Sequence, residues 1–427
     1  MARSLAVGAL ALLPLAAAQQ IGRTPEVHPR LTTQTCTTKG GCVTHDTSVV
    51  IDALTHPILD IHTGASCENS TGDPDPSICP TIQACAKNCE LEGINYAQHG
   101  VETNGDSMTL HQYLEINGTL TSVSPRLYLL DPTGKDYSFL KLLNQEISFT
   151  VDVSNLPCGE NGALYMSAMS QTGGRSNLNP AGATYGTGYC DAQCGFDPWI
   201  NGVANLNGSG SCCNEMDLWE ANSEATQLTP HACNVTGLYE CEGAACGSDG
   251  VCDKSGCGFN PYGLGDHSFY GPSASDTVDT TKPFTVTTQF ITNDGTASGT
   301  LNQIKRQYIQ NDKVIQNANV QFDNSTLDSI TNAYCEATAA SFEERGGLAQ
   351  MGEAIEHGMV LIFSIWNDPT GNMTWLDTGS AGPCTTASGN PSVIEAKDPG
   401  TSVTFSKIAW GDIGSTTPKG GASGYQS

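Results

Sequence analysis

Positive charge is scarce in this 427-residue chain: 18 Lys plus Arg stand against 44 Asp plus Glu, a net charge of −26. Such an anionic surface repels phosphate backbones, which excludes nucleic acid as a natural partner and disfavours polyanionic sugars. A neutral polysaccharide is left open. Long apolar runs are also missing. The longest, Leu5 to Leu15, is too short to span a bilayer, and nothing later reaches its length, so no membrane role is expected. With Arg3 before that run and Ala16, Ala17 and Ala18 after it, residues 1–18 read as a secretory signal whose removal exposes Gln19. No internal repeat and no Ser/Thr/Pro-rich linker is present. The length allows one large all-β domain or two ordinary ones. One domain over 19–414 is expected, followed by a small polar tail, 415–427, expected to be disordered.

Helical periodicity is scarce too. The best stretch is Leu348–His357, with Leu348, Met351 and Ile355 on one stripe and Gly358 as a stop. A short helix is expected near Ile82–Cys89. Strand signals fill the rest: Thr47–Leu54, Ile147–Val153, Phe284–Ile291, Met359–Trp366 and Val403–Trp410, the last with a slip near Lys407. Turn clusters such as Asp131-Pro-Thr-Gly and Asn293-Asp-Gly separate strands. Many strands with irregular loops predict an all-β, large antiparallel β-sandwich.

Cysteine is plentiful. Eighteen residues in a chain with a secretory leader predict nine disulfides. Zinc is the alternative for Cys190–Cys194 with Cys212–Cys213. Adjacent Cys212 and Cys213 point to opposite faces of a strand, so each needs its own partner. Six sequons, at Asn69, Asn117, Asn207, Asn234, Asn324 and Asn372, are compatible with a glycosylated surface.

The chemistry concentrates at Asn214-Glu-Met-Asp-Leu-Trp-Glu-Ala-Asn222. Glu215, Asp217 and Glu220 alternate with residues that prefer burial, the pattern of a strand with one acidic face. On a helix Glu215 and Asp217 would lie about 200° apart. On a regular strand Glu220 would face away from the other two. The three share a face only if a β-bulge inserts one residue near Leu218–Trp219. Crowded acids raise one another's pKa values, so one stays protonated while a neighbour ionises. Glycoside hydrolysis needs that division between nucleophile and acid. The alternative is a solvated acidic strand on a generally acidic protein.

That nonapeptide resembles the active-site strand of glycoside hydrolase family 7, the secreted fungal cellulases. Further matching stretches are Gly186–Cys194, Thr229-Pro-His231, Phe259-Asn-Pro-Tyr262, Ser268–Pro272, Phe363–Asp368 and Trp410–Ser415, so the resemblance runs from about Gln19 to Gly414. It implies a jelly-roll sandwich of two curved sheets with a glucan cleft on the concave side, acting as a secreted monomer. By resemblance Glu215 is the nucleophile, Glu220 the general acid/base and Asp217 the carboxylate that tunes the nucleophile. His231 matches a histidine near the acid/base; a structural histidine is the alternative. Trp366 and Trp375 match sugar-stacking tryptophans on either side of the cleavage point, where the alternative is core packing. Arg126, Asn161, Tyr165, Tyr189, Asp191 and Gln193 fall at cleft positions and are expected to hydrogen-bond sugar hydroxyls. The implied disulfides are Cys36–Cys42, Cys67–Cys89, Cys79–Cys85, Cys158–Cys384, Cys190–Cys213, Cys194–Cys212, Cys233–Cys252, Cys241–Cys246 and Cys257–Cys335. No cofactor and no metal are implied, because water is the second substrate.

The family contains tunnel-forming cellobiohydrolases and open-cleft endoglucanases. Three departures point to the open form. The chain from Trp375 to Cys384 is short, only Gly-Ser-Asp-Gly-Val separates Cys246 from Cys252, and Thr55 and Pro57 stand where tunnel enzymes place two entrance tryptophans. The expected activity is endo-β-1,4-glucanase on cellulose and other neutral β-1,4-glucans, with retention. The alternatives are a cellobiohydrolase of the same family and a non-catalytic glucan-binding protein, which would not need both glutamates.

Overall fold

The computed structural model describes residues 20–322 and 325–417. The expected leader, the sequon at Asn324 and residues 418–427 lie outside the described residues. Among the described residues no helix is long and apolar enough to cross a membrane.

Period-two alternation turns into two stacked sheets. The front sheet runs in the order Thr226–His231, Glu215–Ala221, Glu160–Ser167, Met359–Asn367, Arg126–Leu130, Ser48–Ile51, with Phe139–Leu140 added beside Met359–Asn367. The back sheet centres on Leu301–Gln310, Phe284–Thr292, Gln145–Asp152 and Ser402–Asp412. Its pairings are antiparallel except where Thr33–Thr37 joins Ser402–Asp412 in parallel. Between the sheets lies an aromatic core. Trp219 from the front sheet meets Phe149, Phe284 and Tyr308 from the back sheet with ring centroids 6.2, 5.7 and 6.5 Å apart. Offset and edge-on contacts of this kind suit ring quadrupoles, and they fix how the two sheets sit on each other.

The slip expected near Lys407 is a bulge. Ser148 pairs with Ala409 but Thr150 pairs with Ser406, and Lys407 takes a φ of 52°. The strand expected over Thr47–Leu54 is shorter. It ends at Ile51 because the Asp52 carboxylate accepts the Leu54 N–H at 2.8 Å and turns Ala53–Thr55 into a 3-10 turn. The two expected helices form as Gly347–His357 and Ile82–Asn88. Short helices at Asn332–Thr338, Ala340–Glu344, Thr374–Asp377 and Pro391–Lys397 go beyond the sequence reading. The last carries a legible signal, Asn390 as N-cap followed by Pro391.

All nine implied disulfides are formed, and no free cysteine remains among the described residues. The zinc alternative falls, since Cys190 bonds Cys213 and Cys194 bonds Cys212. The ordered body extends a little past 414. Thr416 donates its N–H and hydroxyl to the Glu146 carboxylate at 2.9 and 2.8 Å, which ties the first residues after 414 to the back sheet.

Candidate active site

The strand Glu215–Ala221 does not keep register with either neighbour. Against Thr226–His231, Asp217 faces Thr229 but Glu220 faces Gln227. Against Glu160–Ser167, Met216 faces Met166 but Trp219 faces Leu164. Each ladder therefore gains one residue on the same strand around Leu218, at Leu218–Trp219 against the first neighbour and at Asp217–Leu218 against the second, the bulge that the acid spacing requires. Glu215, Asp217 and Glu220 line one cleft of about 950 Å³ together with His231, Trp366 and Trp375.

Two disulfides tie the loop Cys190–Cys194 to Cys212 and Cys213, immediately before the acid strand. The Ala192 N–H is thereby aimed at Glu215 and donates to Oε2 at 3.0 Å. Glu215 is 8% exposed. Burial, then the charges of Asp217 and Asp191, push its pKa well above the carboxylate range, while His231 and the Ala192 N–H pull it down. Asp217 is pushed up by burial and by Asp191. Like charges this close cannot both ionise cheaply, so the pair keeps a proton where isolated carboxyls have lost theirs. Glu215 alone of the two holds a backbone donor and is the better home for the charge.

His231 Nδ1 lies 3.0 Å from the Asp253 carbonyl oxygen, which can only accept, so Nδ1 carries a proton. Its Nε2 lies 3.0 Å from Asp217 Oδ2. One proton is shared along that contact, either as a carboxylic acid on Asp217 or as an imidazolium. The histidine is held in place by close backbone approach: a Cβ on Gly256, where φ is 72°, would stand 2.1 Å from Thr229 and 2.8 Å from the His231 ring.

Glu220 sits beyond the bulge. Burial, then the Asp217 charge, raise its pKa to about 8, with His231 and Asn161 opposing. Asn161 corrects the sequence reading. It is fully buried and contacts no open space where sugar could reach it. Its amide nitrogen donates to Glu220 Oε1 at 3.0 Å and its amide oxygen accepts the Ala221 N–H at 3.1 Å.

The remaining expected residues form the cleft wall. The Tyr165 and Tyr189 hydroxyls are 3.0 Å apart, and Tyr189 donates to Asp191 at 2.9 Å. Arg126 lies 3.5 Å above the Tyr189 ring and pairs with Asp52 at 2.8 Å. Gln193 donates to the Lys254 carbonyl at 3.0 Å, and Lys254 donates back to the Gln193 carbonyl. The Trp366 and Trp375 rings lie 6.4 Å apart at 28°, one continuous aromatic surface, with Trp375 41% exposed. Asp52, Gln227, Lys254 and Ser255 also line the cleft and were missed from sequence. Asp52 follows the apolar run Val49-Val50-Ile51 and carried no motif, and Lys254 lies in an irregular loop.

The chain matches the model of glycosyl hydrolase family 7 over residues 21–417. It is 59% identical over 417 residues to the probable endo-β-1,4-glucanase celB of Aspergillus terreus, covering 97% of this chain and 99% of that one. The native endocellulase EGI of Humicola insolens aligns with a TM-score of 0.89 at 47% identity, over 93% of this chain and 100% of that chain. A family 7 cellobiohydrolase from Daphnia pulex aligns with a TM-score of 0.87 at 37% identity, over 93% and 100%.

Proposed function

The chain belongs to glycosyl hydrolase family 7, and from that premise we propose that Glu215 and Glu220 together hydrolyse β-1,4-glucosidic bonds with retention. It is an endo-β-1,4-glucanase. The observation that carries the assignment of roles is the neighbourhood of the two glutamates: Glu215 stands beside the Asp217–His231 contact, which can hold the proton in its place, and Glu220 stands apart across the bulge. Glu215 receives a backbone N–H on Oε2, which favours its anion. Glu220, with a pKa raised to about 8, keeps its proton at neutral pH.

In the first step the Glu215 carboxylate attacks the anomeric carbon. The glycosidic bond breaks as Glu220 passes its proton to the departing oxygen. A glycosyl ester on Glu215 results. In the second step Glu220, now a carboxylate, takes a proton from water, the water oxygen attacks the anomeric carbon, and Glu215 leaves. Asp217 with His231 holds a proton beside Glu215 and adjusts its charge through both steps. Trp366 and Trp375 offer apolar faces to the sugars, and Arg126, Tyr165, Tyr189, Asp191 and Gln193 offer polar groups to their hydroxyls. The short connections at Cys246–Cys252 and Trp375–Cys384 leave the cleft able to close on the middle of a chain. Leu54, 42% exposed at the cleft wall, offers no ring for stacking a distant sugar. The leader at 1–18 and the nine disulfides support secretion into an oxidising space, where the enzyme acts as a monomer.

The decisive test is leaving-group dependence. Glu215→Gln is expected to abolish turnover while retaining glucan binding. Glu220→Gln is expected to keep kcat/KM on an aryl cellobioside with an acidic leaving group and lose it on cello-oligosaccharides. Equal loss on both substrates refutes the role of Glu220. A proton NMR time course that shows the α-anomer as first product refutes retention.

A further inference from the structure

We infer that Arg306, from the back sheet, is a positioning residue that locks the bulge by which Glu220 is turned into the cleft. The inference rests on Glu220 as the acid/base.

Leu218 has a ladder partner on neither side, since both registers jump across it. Its carbonyl is thus a buried acceptor where neither ladder keeps its register, a costly arrangement if left unpaired. Arg306 supplies the donor. It sits on Leu301–Gln310, paired with Thr288, and is 1% exposed. Its Nη2 donates to the Leu218 carbonyl and lies 3.4 Å from the Gln227 carbonyl, while Nη1 lies 3.4 Å from Thr226 Oγ1. The guanidinium carbon lies 5.3 Å from the ring of Trp219, the other bulge residue. One side chain therefore holds the bulge and the first residues of the partner strand, Thr226 and Gln227, the latter facing Glu220.

This cation is expensive to bury. Among the described residues the arginines in ion pairs are Arg30, Arg126, Arg175 and Arg345, and Arg306 has no carboxylate partner. Its Nε is buried without a hydrogen bond. A guanidinium buried without a counter-charge costs stability, which here only its hydrogen bonds and the Trp219 ring offset. Here they decide on which face Glu220 emerges. Without the lock the strand can regain regular pairing, and a one-residue slip moves every following side chain to the other face. Glu215 and Asp217, which precede the bulge and are held by Ala192 and His231, keep their places.

The test sets Arg306→Lys and Arg306→Met beside Glu220→Gln. Each is assayed by kcat/KM, which reports the first chemical step, on cellopentaose and on a dinitrophenyl cellobioside that needs no proton on departure. In both Arg306 variants kcat/KM on cellopentaose is expected to fall at least about 10-fold, and on the aryl substrate less than about 3-fold, with Lys recovering part of the loss. A folded Arg306→Met enzyme with wild-type rates, or with equal losses on both substrates, overturns the inference. If neither Arg306 variant folds, Thr226→Val, which removes one acceptor and no charge, must show the same split at about 2- to 4-fold; equal change or none overturns it. Glu220→Gln separates the two readings. Absence of leaving-group dependence in that variant refutes the acid/base role, whereas its presence alongside equal losses in the Arg306 variants refutes only the lock.

Discussion

Asn161 donates to Glu220 Oε1 at 3.0 Å while accepting the N–H of Ala221, the next residue on the same strand. One buried amide thus grips both the side chain and the backbone of the acid/base. It favours the anion, because a donor to a carboxylate lowers its pKa. Asn161→Ala is expected to move the basic limb of the kcat/KM profile upward and to cut kcat/KM on cello-oligosaccharides by about 10- to 100-fold. A pH–rate profile checks this; a basic limb that moves down contradicts it.

Stability should fall as pH rises through neutrality. Burial raises Glu220 to about 8, with the Asp217 charge adding, and Glu160 and Asp197 each to about 7. Unfolded, these groups titrate near ~4. Between that value and their folded values the native state binds more protons than the unfolded chain, so unfolding becomes easier with each step up in pH. Toward stronger acid the opposite group takes over. Glu26 is lowered, since bonds from His56 and Tyr96 outweigh the burial that opposes them, and its contribution is lost below the ordinary carboxylate range. The thermal unfolding midpoint is expected to be highest near ~pH 4–5 and to decline toward pH 8. Glu160→Gln, at a fully buried carboxyl with one oxygen unpartnered, should flatten that decline. A midpoint that rises from pH 5 to pH 8 contradicts the sign.

The disulfides should differ in worth according to the loop they close. Cys158–Cys384 joins residues 226 apart and Cys36–Cys42 residues 6 apart. In the chain-entropy model these correspond to about 5 and about 2 kcal/mol. Denaturant unfolding of the two double-serine variants is expected to show the larger loss for the long bridge, which also closes beside Asp377, an acceptor for Gly159 and Asn222 at 2.7 Å.

Trp375 is 41% exposed, and the Trp366 ring lies 6.4 Å from it. Trp375→Ala should therefore act on substrate and not on the fold. Stacking of this size is worth about 1 kcal/mol, so KM on cello-oligosaccharides should rise about 5-fold with the unfolding midpoint nearly unchanged. A large drop in the midpoint would assign the ring to the core instead.

Cutting within chains should be visible as viscosity. On a soluble substituted cellulose the viscosity is expected to collapse while few reducing ends have formed. Reducing ends that accumulate at nearly constant viscosity would mean that other contacts replace the missing roof.

Short-range physics made much of this protein legible without coordinates. Alternation over Ile147–Val153 and Phe284–Ile291, the stripe Leu348, Met351 and Ile355, and the spacing of Glu215, Asp217 and Glu220 each depend on neighbours within a few residues, so the sequence alone determined the strands, the helix and the need for a bulge. Side-chain destinations depend on residues far away in the chain, and there the tertiary structure decided. Asn161 was expected to meet sugar and instead meets Glu220, 59 residues on. Asp52 attracted no notice beside Ile51, yet it anchors Arg126, 74 residues away, against the cleft wall. Arg306 lies in an alternating strand where a charged residue reads as solvent-facing, and it points inward to donate to a carbonyl 88 residues earlier. Periodicity records which face a residue occupies; which unsatisfied polar group waits on that face is known only when the two sheets are stacked.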